Sequence, residues 1–282
     1  MIIDDIYDYI TKVDGRFSKD FCNIVMNSTV LKAQNVANYM MQENDKEGFY
    51  SEDFPNIAPP WNNYFIHWTM PKWTYSKKFG KVDLSDSAPN IEFCPLMISE
   101  KRNFGWLNSL SLFLLVDKKI NYFGLQLVPI NKDGCLNLEM AGGNNKFKII
   151  MPQDIIQFYS KDLLTSLHSQ SSNISLMATC FCHCKNVDVV TNNIDHALIK
   201  RRARDNKIPI QKFYTLNISG NANHSDESSG IGSDKAFHIC RGHFKNFTSE
   251  KPLLGKHVGT YWWAMHTKGS KQAGEVTKQY QV

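Results

Sequence analysis

SLSLFLLVDKKINYFGLQLVPI, residues 109–130, is the stretch whose reading decides the fold. It holds two runs of strand length, rich in aliphatic and aromatic side chains and parted by polar turn residues. That is the texture of neighbouring β-strands. The same texture spreads outward, with YFIHWTM (64–70) and IEFCPLMIS (91–99) before it and CLNLEM (135–140) and KFKIIM (146–151) after it. No long crossover lies between these runs, so a large, mainly antiparallel sheet is expected over 61–150. Asn131-Lys132-Asp133-Gly134 is a hairpin signal, because Asp-Gly tolerates the positive φ of tight turns. Gly142-Gly143 is read as a turn, since neither GK[ST] nor GxxG follows it as a phosphate loop requires.

The flanks change period. Residues 17–44 lack Pro and Gly and place Phe17, Phe21, Ile24 and Val25, then Val36, Tyr39 and Met40, at helical spacing; one long N-terminal helix is expected there. Prolines 55, 59 and 60 forbid its continuation. From Pro152 the helical period returns through Ile156, Tyr159, Leu163 and Leu167, with Ser172 as the expected cap of a second helix carrying Met177, Cys180 and Cys184. HALIKRRARDNK (196–207) reads as a short helix with capping groups at Asn192, Asn193 and Asp195, which extends the helical layer over 152–207. IQKFYTLNIS (210–219) alternates as a strand, 219–234 reads as a polar loop, and β-like pieces follow. The expectation is one α+β domain over 1–282, whose basic C-terminal strands (208–282) return to the sheet.

Composition narrows the function. A hydrophobic content of 42 % with 12 % aromatics is enough to bury a core, which excludes a mainly disordered chain. No apolar run approaches the roughly 18 residues of a membrane span. The acidic start, MIIDDIYDYI, lacks the basic and apolar regions of a secretion signal, so a cytoplasmic protein with reduced cysteines and no membrane partner is expected. The net charge of +5 is unevenly placed. Residues 196–282 hold 14 Lys+Arg against 6 Asp+Glu, leaving −3 for the remainder. Such asymmetry points to a polyanion, RNA first and an acidic host protein second; a solvated basic face is the alternative. Arg201, Arg202 and Arg204 are the cations of the short helix.

CFCHCKN (180–186) brings four soft-metal ligands together, Cys180, Cys182, His183 and Cys184. On a helix only Cys180 and Cys184 would share a face, whereas zinc sites use C-x(2–4)-C knuckles on turns. The cysteines are therefore read as core and no metal is expected.

The densest chemistry lies from His238 to the end. His238, Arg241, His243, Lys256, Trp262, Trp263, His266 and Lys268 fall in a short, glycine-punctuated span, and Gly242 is expected to break the first strand. Three uses are open. Arg241, Lys256 and Lys268 would hold phosphates while Tyr261, Trp262 or Trp263 stacks a base. Alternatively His243 and His266 would form an acid/base pair beside Arg241, giving metal-independent RNA cleavage. The tryptophans and Arg241 would also suit a protein interface. Against all three stands a core role for the indoles. None of these uses needs a cofactor.

APPWNNYFIHW (58–68), CKNV (184–187), IPIQKFYTLNI (208–218), HICRGHF (238–244) and YWWAMHTKG (261–269) together resemble a group of uncharacterised bacteriophage and prophage proteins. The H-x-x-RGH-aromatic element, His238, Arg241, Gly242, His243 and Phe244, is also similar to the C-terminal motif of a type V-A anti-CRISPR family. The resemblance implies a factor in the host cytoplasm that lowers production of a CRISPR nuclease by recognising its nascent chain and causing loss of its messenger.

Overall fold

The computed structural model describes residues 2–13, 15–43, 59–70, 91–102, 105–116, 119–129, 148–159, 161–192, 194–205, 207, 209, 212–218, 236–240, 242–263, 266–268 and 270–275. The chain divides into two compact units, 1–183 with 189–217, and 184–188 with 218–282. It passes between them three times, at 183/184, 188/189 and 217/218.

The α+β class and the large, mostly antiparallel sheet are as expected. The sheet has nine strands, and β2 (Asn63–Met70), β3 (Ile91–Phe93), β4 (Leu96–Arg102), β5 (Gly105–Val116), β6 (Lys119–Pro129) and β7 (Lys148–Ile150) pair antiparallel. β5 is long enough to pair β4 along its first half and β3 along its end. The register between β5 and β6 shifts at Leu112/Phe113, where Gly124 takes a φ of +111°. A Cβ there would collide with the Ile150 carbonyl oxygen on β7, so glycine is required. The Asn131–Gly134 turn, CLNLEM and Gly142-Gly143 lie outside the described residues.

The helix expected over 17–44 is three elements. α2 (Lys19–Asn27) is capped by Ser18, whose hydroxyl accepts from the Phe21 amide at 3.1 Å. Ser28 ends it, and β1 (Thr29–Lys32) and α3 (Gln34–Glu43) follow. Thr29 and Val30 are β-branched and Val30 and Leu31 are buried, so a place inside a sheet outweighs one more helical turn. β1 runs parallel to both of its neighbours, β2 and β9 (Phe213–Ile218), and β8 (Val187–Asn192) lies beyond β9. A further helix, α1 (Ile2–Lys12), buries Ile3, Ile6 and Ile10 at helical spacing. α1 and α2 cover one sheet face, where these isoleucines join Val25, Val30, Phe65, Leu96 and Phe113 in one apolar cluster.

The helices expected over 152–207 are α4 (Gln153–Phe158), α5 (Lys161–Phe181) and, after β8, α6 (His196–Arg204). Ser172 caps nothing. It is buried within α5 and donates to the His168 carbonyl at 2.7 Å, the back-bond by which a serine satisfies itself inside a helix. Thr179, at the far end of α5, meets the Tyr64 hydroxyl of β2 at 2.8 Å. α6 is capped by Asp195, which accepts from the Ala197 amide at 3.0 Å. Among the described residues no helix is long and apolar enough to cross a membrane.

Among the described residues of the second unit, β10 (Ala236–Cys240) lies between β13 (His266–Lys268) and β14 (Ser270–Glu275), and β11 (His243–Phe247) pairs with β12 (Gly259–Trp263) as a ribbon. The strand break expected at Gly242 falls between β10 and β11.

Asp4 of α1 and Arg202 of α6 form a two-point ion pair, Nη1 donating to Oδ2 at 2.9 Å and Nη2 to Oδ1. Burial pushes the Asp4 carboxyl upward, but hydrogen bonding, Arg202's first, and adjacent positive charge outweigh it, so its pKa lies below the usual carboxylate value. Stability from a depressed carboxylate is full above the unfolded pKa of about 3.9 and is lost as pH falls through the folded value. Asp4→Asn leaves the buried guanidinium without its counter-charge and is expected to cost about 3 kcal/mol at neutral pH. Urea unfolding of both proteins should show that gap narrowing below about pH 4.

Candidate functional site

β11 and β12 pair antiparallel in strict register, His243 with Trp263, Phe244 with Trp262, Lys245 with Tyr261, Asn246 with Thr260 and Phe247 with Gly259. Alternation along a strand sends neighbouring residues to opposite faces. One face therefore carries Phe244, Asn246, Thr260 and Trp262, and the other His243, Lys245, Phe247, Tyr261 and Trp263. Burial separates the indoles: Trp262 is 4 % exposed beside a buried Thr260, while Trp263 is 36 % exposed. The two indoles expected to act together are thus divided between core and solvent.

The inner face is fastened to residues 184–188. The Asn186 side chain donates from Nδ2 to the Trp262 carbonyl at 2.6 Å and accepts at Oδ1 from the Trp262 amide at 2.9 Å. It thereby occupies the place of a neighbouring strand's peptide group. The Lys185 amide donates to the Thr260 carbonyl at 2.8 Å, Cys184 bridges Thr260, and Phe244 packs on Trp262 with centroids 4.7 Å apart. Gly259 adopts a φ of +128° against the Lys185 side chain, where a Cβ would lie 3.1 Å from its methylenes. Nothing in the sequence singles out Asn186, because an amide used in this way carries no local pattern.

On the outer face Lys245 Nζ lies 4.9 Å from the centroid of the Trp263 ring, and Phe247 meets Tyr261 edge to face at 5.8 Å. Lys245 and Phe247 were not among the residues singled out, although alternation from His243 points to both. At the far end of the connection between the strands, Leu253 and His257 form an antiparallel bridge around an exposed turn that includes Lys256. The ribbon and its connection hold Lys245, Lys251 and Lys256 against Glu250, a cationic balance.

Of the other expected residues, His238 in β10 is opposite Lys268 of β13 and His266 of β13 is opposite Cys240, in the same antiparallel register that sets His243 opposite Trp263. Arg241 lies outside the described residues. In the first unit Arg201 and Arg204 are exposed, Arg204 beside Asp205 at 3.6 Å, whereas Arg202 is turned inward to Asp4 and presents no charge to a ligand. Of the cysteine cluster, Cys180 and Cys184 are buried, and burial pushes the Cys184 thiol up to about 12. Cys182 donates to the Ala178 carbonyl. Cys184 lies beyond the end of α5 and does not share a helix face with Cys180. Among the described residues no three His, Cys, Asp or Glu side chains are grouped to hold a metal ion.

No family model matches the chain, and no curated protein is detectably similar to it.

Asn186→Ala removes both bonds to Trp262 and is expected to cost about 2 kcal/mol. Hydrogen exchange at the Trp262 amide should accelerate at least about tenfold on the same grounds; unchanged exchange would mean that the amide does not fasten the ribbon.

Proposed function

We propose that the protein binds single-stranded RNA on the outer face of the β11–β12 ribbon. The observation that carries this reading is the pairing of the half-open Trp263 ring with the Lys245 ammonium, in one row with Tyr261 and Phe247. An exposed indole offers a base a flat π surface, and an adjacent ammonium neutralises the phosphate that accompanies it; the combination is sequence-tolerant because every base has a face. The basic character of residues 196–282 adds a field that draws a polyanion to this part of the chain. The resemblance to phage proteins and to a type V-A anti-CRISPR family supports a messenger in the host cytoplasm as the RNA. Catalysis by His243 and His266 has less support, since the two are opposite different residues across the strands, Trp263 and Cys240.

Purified protein should shift a labelled single-stranded RNA in EDTA without cleaving it, with affinity falling steeply as salt rises. Trp263→Ala is expected to weaken binding by roughly tenfold, the value of one stacked base. Lys245→Ala should lower the slope of log K against log salt by about 0.7, as for one lost phosphate contact on a single strand. Cleavage in EDTA that disappears in His243→Ala would replace this reading with a ribonuclease, and no shift at any salt would leave a protein partner.

A further inference from the structure

We infer that the turn at the end of the β11–β12 connection is a wedge that opens base pairs at the edge of the RNA strand lying on the ribbon. This rests on the reading of the ribbon as an RNA platform. Leu253 and His257 exchange amide-to-carbonyl bonds at 2.8 and 3.0 Å, and the Lys256 amide closes the turn on the Leu253 carbonyl at 3.1 Å. Within it Leu254 has a φ of +51° and Gly255 one of +71°. Two successive positive φ values are what Asn-Gly supplies at low cost, and a bulky γ-branched residue at the first position is disfavoured by its Cβ. Packing does not compensate, because Leu254 is 83 % exposed. Neither backbone preference nor burial accounts for a leucine here, so a contact outside the chain is the remaining use for it.

The surroundings define that contact. Lys251, Lys256 and His257 are exposed around the tip, Val258 is 48 % exposed beside it, and an added Cβ at Gly255 would meet nothing within 4 Å, which leaves the tip open to a flat partner. An apolar point inside a cationic collar matches a base step between two phosphate backbones. Proteins unstack such steps by inserting leucine and similar side chains. An anionic lipid surface would also take a leucine between lysines. RNA is favoured by continuity, because the tip extends from the two strands that carry Lys245, Tyr261 and Trp263, so one strand of an opened duplex has a surface ready to receive it.

The test uses an RNA hairpin with a single-stranded tail and 2-aminopurine in the base pair next to the tail, together with the tail alone and phosphatidylserine vesicles. Wild-type protein should raise the 2-aminopurine emission on binding. Leu254→Asn keeps the turn, since Asn tolerates positive φ, and should melt no lower than wild type. It should bind the tail alone within about twofold of wild type yet open the hairpin on the order of tenfold less. Trp263→Ala should weaken binding to the tail and the hairpin alike. Opening by Leu254→Asn equal to wild type overturns the wedge and leaves the platform standing. A loss confined to vesicle binding assigns the tip to lipid. Failure of wild type to bind even the tail overturns the platform and the wedge together.

Discussion

Four residues, Thr29–Lys32, hold the large sheet closed. β1 is inserted parallel between β2 and β9, so Val30 pairs with Phe65 on one side and with Phe213, far away along the chain, on the other. Without it β8 and β9 would have no ladder connecting them to β2–β7. The segments on either side of β1 reinforce the same closure. Gln34 exchanges two bonds with the Thr69 backbone, donating at 3.0 Å and accepting at 2.8 Å, and the Asn35 amide reaches the Leu216 carbonyl at 3.3 Å. Asp4 and Arg202 join the first helix to the last of the unit in the same way. These contacts span nearly the whole first unit, so their entropic cost falls late in folding, after the locally connected strands β2–β7 have met.

The antiparallel block was legible because its runs carry aromatic and β-branched residues at strand length, and because the connections between β3, β4, β5 and β6 are too short for a crossover. β1 was not. Its residues fit a helical period as well as a strand when read with their neighbours, and what decides between the two is a partner strand, β9, that no local window contains. α5 was misread for a related reason. The run His168-Ser169-Gln170-Ser171-Ser172 has the composition of a solvated break, yet His168, Ser171, Ser172, Ser175 and Thr179 are all buried. Ser172 and Thr179 hydrogen-bond within the helix, and His168 Nε2 lies 3.0 Å from the Phe123 carbonyl. Burial lowers the His168 pKa against the weaker upward effect of that carbonyl, which keeps the ring neutral near pH 7 and lets it sit in the interior. Polarity in a sequence does not reveal whether a neighbour can satisfy it.

The dense C-terminal cluster was legible as a region, and the strand period divides part of it between two faces. Adjacent residues on a strand cannot share a face, so Trp262 and Trp263 were bound to part once β12 formed; that much was available from the period alone. The relation between the histidines was not available, because the register that sets His266 opposite Cys240 and His243 opposite Trp263 spans the long excursion between β11 and β12. Arg202 shows the same limit from another direction. In sequence it is one of a run of cations, and only the position of Asp4 at the opposite end of the unit shows that its charge is spent internally.

A two-stranded ribbon is marginal by itself, because each strand lacks a second neighbour and one face has no core. The second unit meets this with a substitute for a strand: Asn186 gives Trp262 the donor and acceptor that a third backbone would provide, and the Lys185 amide gives the Thr260 carbonyl a donor. Fastening by side chain and by one bridge fixes the inner face, while Lys245 and Trp263 on the other face stay exposed among the described residues. The arrangement thus stabilises Trp262 and Phe244 while keeping Trp263, Lys245 and Tyr261 presented on a rigid backbone. A binding surface needs that combination, since a platform already held in place loses little freedom when a ligand settles on it. The cost of holding the ribbon is met by the buried indole, and the exposed indole is left for the recognition we propose.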